Sequence, residues 1–244
     1  MEYINRQVIE SLDDAAFRAT KPYPWLNPER FINDVGFESL VETLPPPEAF
    51  ERIFGKSRGK GGQQPHDRLS LEYHTDLPLA EPWRAFIGEL QGPIYRRFLE
   101  RMFGSDDFHL ILHWHYTPTG CSVSPHCDSR KKLGSHIFYL NTDRDWRPEW
   151  GGQTLILDDN GQFPADSAPK FDDFERVIPS RATGNYSLLF MRSEHAWHGV
   201  KELRSPSDAL RKVFIVVIER KSKDEVDRKN NGFGERVRGL FRND

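Results

Sequence analysis

From Phe108 onward the chain breaks into short apolar or alternating runs: 109–116, 121–128, 136–141, 153–158, 186–192, 197–203 and 211–219, divided by Gly, Pro, Asn and Asp. Runs this short suit strands, and many short strands separated by turn residues close into a sandwich or barrel. The first 107 residues read differently. Pro82 to Phe103 carries Trp83, Phe86, Ile87, Leu90, Ile94, Tyr95, Phe98, Leu99 and Met102 at helical spacing, with Gly104 as a stop and Gly92-Pro93 as a break or kink. Phe37 to Leu44 reads as a helix ended by Pro45-Pro46-Pro47. Asn27 before Pro28 is a candidate helix start, and Phe50 to Phe54 a candidate short helix. The expectation is a mainly β domain with N-terminal helices packed on it. Its support region covers residues 1–107, its core 108–220, and a charged tail 221–244.

Composition narrows the class. Aromatics make up 12% of the 244 residues, which argues against disorder, and a net charge of −3 gives no reason to expect nucleic acid or an anionic membrane as partner. The longest apolar run, Val213 to Ile218, is too short to span a bilayer. The first ten residues lack a basic segment followed by an apolar one, and Cys121 and Cys127 cannot build a disulfide framework. A cytoplasmic protein with reduced thiols is expected. The Lys- and Gly-rich stretch 55–62 lacks the spacing of a phosphate-cradling loop and reads as a solvated loop or a substrate lid. In the tail, Glu235 to Phe241 reads as a small amphipathic helix.

Chemistry concentrates in Ser124-Pro125-His126-Cys127-Asp128-Ser129. On a strand, residues two apart share a face, so His126 and Asp128 project together with Cys127 turned away. An imidazole and a carboxylate on one face are half a metal site. The same pattern in His74-Thr75-Asp76 has no strand-rich train behind it. Downstream, His198 is followed by Gly199-Val200, while His195, three residues earlier, falls on the opposite face of a strand. His113 and His115 share a face and Trp114 turns away; the pair reads equally as pocket lining or as ordinary strand residues near a pocket's mouth.

The ordered set Tyr116, Gly120, His126-x-Asp128, Tyr139-Leu140-Asn141, Gly151-Gly152-x-x-Leu155, Gly184, Phe190, His198-Gly199-Val200 and Arg211 resembles the Fe(II)- and 2-oxoglutarate-dependent dioxygenases, most of all their prolyl-4-hydroxylase-like branch. The resemblance spans roughly residues 108–220. It implies a double-stranded β-helix (jelly roll), Fe(II) held by His126, Asp128 and His198, and O2 and 2-oxoglutarate as co-substrates. Two imidazoles and one carboxylate leave coordination positions open on the metal. The far carboxylate of 2-oxoglutarate needs a buried cation, and Arg211 stands in the family's order. It lies thirteen residues after His198, which keeps Lys212 and Arg204 as alternatives. Tyr116 resembles the tyrosine that assists 2-oxoglutarate binding, with a buried structural tyrosine as the other reading. The implied reaction is aliphatic hydroxylation with release of succinate and CO2. A small-molecule substrate is expected over a peptide, because no separate peptide-binding domain is visible. A cupin-like metal-binding jelly roll stands as the non-oxygenase alternative.

Overall fold

Two antiparallel sheets face each other across an interior cavity. The computed structural model describes residues 2–56 and 63–221. Its strands are β1 (Trp25–Leu26), β2 (Glu51–Ile53), β3 (Arg68–Glu72), β4 (Phe108–Pro118), β5 (Val123–His126), β6 (Lys132–Tyr139), β7 (Leu155–Asp158), β8 (Arg176–Pro179), β9 (Ser187–Met191), β10 (Trp197–Val200) and β11 (Leu210–Arg220). The major sheet runs β1-β9-β6-β11-β4-β3-β2 and the minor sheet β5-β10-β7-β8. This is the jelly-roll core anticipated above. The seven runs expected as strands all contain one, most of them trimmed at the ends.

The helices are α1 (Arg6–Ser11), α2 (Asp14–Ala19), α3 (Asp34–Glu42), α4 (Glu81–Leu90) and α5 (Pro93–Phe103). The side chains of Asn5, Asp13 and Asn33 accept hydrogen bonds from backbone N–H groups of the first turns of α1, α2 and α3. Pro93 opens α5 where its missing N–H costs nothing, so the long apolar stripe divides into two helices there. Gly104, at φ 65°, closes α5 in the left-handed conformation that glycine adopts without strain.

Their apolar faces lie on the outer face of the major sheet. Trp83 of α4 packs edge-on against Trp114 of β4 at 5.0 Å and against Phe214 of β11 at 5.2 Å. Tyr95 and Phe98 of α5 join the same cluster with Phe31 and Phe138. His136 of β6 is enclosed there, its Nδ1 sharing a 2.9 Å hydrogen bond with the Tyr95 hydroxyl. Burial pushes its pKa down to about 3.

Two local expectations differ from the structure, and further strands lie outside the expected runs. Phe50 to Phe54 is not helical: β2 forms there because its backbone pairs with β3, placing Glu51 opposite Ser70 and Ile53 opposite Arg68. No helix starts at Asn27. Its side chain instead donates to the carbonyls of Arg181 and Ser187, and Pro28 O accepts from Ser187 N, tying the segment to the sheet as extended chain. β8, paired with β7, lies outside the expected strands. β3 has no counterpart among the expected strands. The lid reading of 55–62 falls mostly on, and the helix Glu235–Phe241 wholly on, residues outside those described. Among the described residues, no helix is long and apolar enough to cross a membrane.

Candidate metal centre and its cavity

β5 and β10 are neighbours in the minor sheet, and their register sets His126 directly opposite His198, with ring centroids 4.3 Å apart. The register shifts immediately after His198. A Cβ at Gly199 would lie 2.7 Å from the backbone oxygen of Val123, so the close approach of β10 to β5 requires glycine beside the histidine. Asp128 follows β5 by two residues. One ligand atom from each of His126, Asp128 and His198 lies within 4.8 Å of the others, and all three residues are buried.

The imidazoles are oriented for a cation. His126 Nδ1–H donates to Ser124 O and His198 Nδ1–H to Ala196 O, both at 3.0 Å. A ring that donates through Nδ1 keeps its lone pair on Nε2 when neutral, so both histidines can present Nε2 to a metal. The Asp128 carboxylate accepts from Lys132 Nζ at 2.8 Å and from Ser135 Oγ at 3.3 Å. Burial raises its pKa, but the Lys132 ammonium and the two imidazoles outweigh burial and hold it well below the ordinary carboxylate range. An ionised carboxylate and two neutral nitrogen donors fit a divalent transition metal.

These residues share a cavity of about 430 Å3 with the inner face of the major sheet. Arg211 opens the face formed by Arg211, Val213, Ile215 and Val217 of β11. Its guanidinium is buried, Nε donating to Gly152 O at 2.6 Å and Nη2 to Thr154 Oγ1 at 3.4 Å. Among the described residues no carboxylate pairs with it. Burial lowers its pKa, yet guanidinium starts so high that the charge persists. The two alternatives lie elsewhere. Lys212 points to the opposite face and pairs with Asp145 at 2.8 Å, while Arg204 is exposed on the loop before β11.

The structure does not bring Tyr116 to the cavity. It stands opposite Lys212 in the β4–β11 register and shares that outer face. Its hydroxyl donates to Pro45 O at 3.0 Å, and its ring stacks on Phe50. The tyrosine on the Arg211 side is Tyr139 of β6, whose hydroxyl bonds Thr154 and Ser180 and whose ring lies 5.7 Å from the Arg211 guanidinium.

His113 and His115 do line the cavity, stacked at 4.7 Å, with Trp114 turned into the outer core. Burial drives both pKa values down, that of His113 to about 4, so both are neutral near pH 7. His195 is outside the cluster: it sits in the loop before β10, with Nδ1 2.8 Å from Asp159 Oδ2. Cys127 is buried away from the cavity against Leu157 and Trp197, and His74 and Asp76 lie exposed in a turn. Lys132, Ser135, Thr154 and Arg68 were not singled out from the sequence. Lys132, four residues beyond Asp128 and across a turn, carried the most legible signal.

A jelly roll with a buried His-x-Asp…His cluster lining one cavity is built to hold a metal. Residues 112–218 match the family model of the 2OG-Fe(II) oxygenase superfamily. Among solved structures, a prolyl-4-hydroxylase from Pseudomonas putida is similar at TM-score 0.58 and 14% identity, over 86% of this chain and 99% of that one. A prolyl hydroxylase from Trichoplax adhaerens, in complex with a hypoxia inducible factor oxygen degradation domain peptide fragment, is similar at 0.60 and 13%, over 88% and 90%. A non-haem α-ketoglutarate-dependent carbocyclase from nogalamycin biosynthesis is similar at 0.55 and 12%, over 87% and 85%. At these identities the likeness is one of fold. No curated protein matches the sequence. Residues 112–218 are thus similar to the 2OG-Fe(II) oxygenase superfamily, and that match together with the His-Asp-His cluster implies Fe(II) and 2-oxoglutarate.

Proposed function

We propose that this protein is a hydroxylase of an aliphatic C–H bond in a small molecule. The balanced reaction takes the substrate, 2-oxoglutarate and O2 to the alcohol, succinate and CO2. His126, Asp128 and His198 hold the iron, which when bound supplies the oxygen activation. Arg211 anchors the far carboxylate of 2-oxoglutarate by charge-assisted hydrogen bonds, backed by Thr154. Lys132 and Ser135 hold the Asp128 carboxylate in one orientation. Tyr139, by its position beside Thr154 and Arg211, takes the place first assigned to Tyr116.

The observation that carries this reading is that the cluster, Arg211 and an aliphatic floor of Val213, Ile215 and Val217 line one cavity of about 430 Å3. That volume falls in the range of small-ligand sites, about 300–1,000 Å3. The likeness in fold to prolyl hydroxylases, one of them held with a peptide, favours a peptidyl substrate as the second reading. That Cys121 and Cys127 are not joined in a disulfide suits a cytoplasmic setting.

The test loads the protein anaerobically with Fe(II) and 2-oxoglutarate, records the visible charge-transfer absorption, then admits air and measures succinate. Wild type is expected to give both signals and Asp128→Ala neither. Wild type that binds Fe(II) but gives neither would reduce the protein to a metal-binding jelly roll.

A further inference from the structure

We infer that the substrate is a small aliphatic carboxylic acid whose carboxylate is bound by Arg68 on the wall of the cavity formed by β3 and β4. This rests on the hydroxylase reading above and names its substrate class. In the register of the major sheet, Leu69 lies opposite Tyr116, and Thr117 lies opposite Arg211. Arg68 therefore falls on the same row of the inner face as Arg211, two strands away, with about 10 Å between their backbones at ordinary strand spacing. One cation is assigned to the co-substrate. The other has no part in that chemistry, yet it lines the same cavity.

The guanidinium is held in place. Arg68 Nε donates to His115 Nε2 at 3.3 Å and Nη1 to His66 O at 2.8 Å. Accepting through Nε2 requires His115 to be neutral, in agreement with its depressed pKa. The two stacked imidazoles thus act as uncharged walls that fix the direction of Arg68 along the cavity. Such a clamped, half-buried fork suits a planar carboxylate better than a diffuse charge would. Across the register, His115 is followed by Val213 and His113 by Ile215. A molecule held by its carboxylate at Arg68 lays its hydrocarbon over this row, toward the iron ligands on the opposite sheet. Glu51 and Glu72 share the face but stand exposed at its rim, where they discourage a second anion.

The test is succinate formation and gain of one oxygen atom by mass, with Fe(II), 2-oxoglutarate and a panel of aliphatic carboxylic and amino acids, each beside its primary amide. Acids are expected to stimulate turnover at least about tenfold more than their amides. Arg68→Gln is expected to raise the KM for the acid about ten- to hundredfold, the range for losing a charged hydrogen bond, and Arg68→Lys to raise it less. If Arg68→Gln instead raises the KM for 2-oxoglutarate, Arg68 serves the co-substrate and the inference is wrong. Acids and amides of equal effect would also overturn it. So would succinate formation without substrate that no acid of the panel stimulates, and that result leaves the hydroxylase reading standing. Absence of both 2-oxoglutarate binding and succinate would instead remove the hydroxylase reading itself.

Discussion

Alternate residues of β4 and β11 live in two different solvents. On the outer face, Trp114, Phe214, Val216 and Ile218 meet α4 and α5 in a core from which water is excluded. On the inner face, His113, His115 and Arg211 line the cavity, with Val213, Ile215 and Val217 between them. Neighbouring residues on one strand therefore do opposite work. The outer face supplies stability by burying aromatic area, while the inner face accepts the cost of burying polar groups to bind ligands. A substitution should reveal its face by whether it moves stability or KM.

The largest effect is expected from Trp114→Ala, which leaves a cavity among Trp83 and Phe214. It should cost about 3–5 kcal/mol in denaturant unfolding while leaving the KM for 2-oxoglutarate where it was. A pair of adjacent residues sharpens the contrast. Arg211→Met should raise that KM about ten- to hundredfold. Lys212→Met, losing only a partly exposed pair with Asp145, should cost no more than about 1 kcal/mol of stability and leave KM unmoved. Equal effects on KM would mean the two faces are not separate.

His136 gives the outer face a pH signature. Its folded pKa is about 3 against 6.5 for the ordinary side chain, so between those values the unfolded chain binds the extra proton. Its contribution is complete above pH 6.5 and is lost as the pH falls toward 3. Melting temperatures measured from pH 7.5 to 4.5 should therefore decline. His136→Leu should be less stable at pH 7.5 and decline less steeply; an unchanged slope would remove His136 as the cause. The smallest expected effect belongs to Tyr116→Phe, which removes one hydrogen bond to Pro45. It should lower stability by about 0.5–1.5 kcal/mol and leave the KM for 2-oxoglutarate unchanged. A raised KM would return the hydroxyl to the co-substrate.

Tyr116 also shows how the sequence was legible and where reading it went astray. Counting by twos along 113–116 puts His113 and His115 on one face and Trp114 on the other, as in the structure. The same count puts Tyr116 with Trp114. The co-substrate role came from resemblance and overrode a parity rule already in use. The jelly roll was legible because its strands are punctuated by turn residues, and α4 and α5 because their apolar stripes are long. His126, Asp128 and His198 could be singled out because each sits in a recognisable local pattern. Arg68 could not. β3 is five residues long, has no hairpin partner close by in sequence except β2, and acquires its face only by pairing with β4. Likewise β2 looked helical because its extended form depends on pairing with β3, across the stretch 54–67.

The strand that carries Arg68 enters the major sheet from residues 68–72, whereas the family match begins at residue 112. On the inference above, the substrate's anchor and the metal's ligands come from different stretches of the chain. A chimaera that exchanges everything before Gly104 would replace Arg68 and keep His115 and the aliphatic floor of β11, so it should change the hold on the substrate's carboxylate and leave the rest of the cavity as it was.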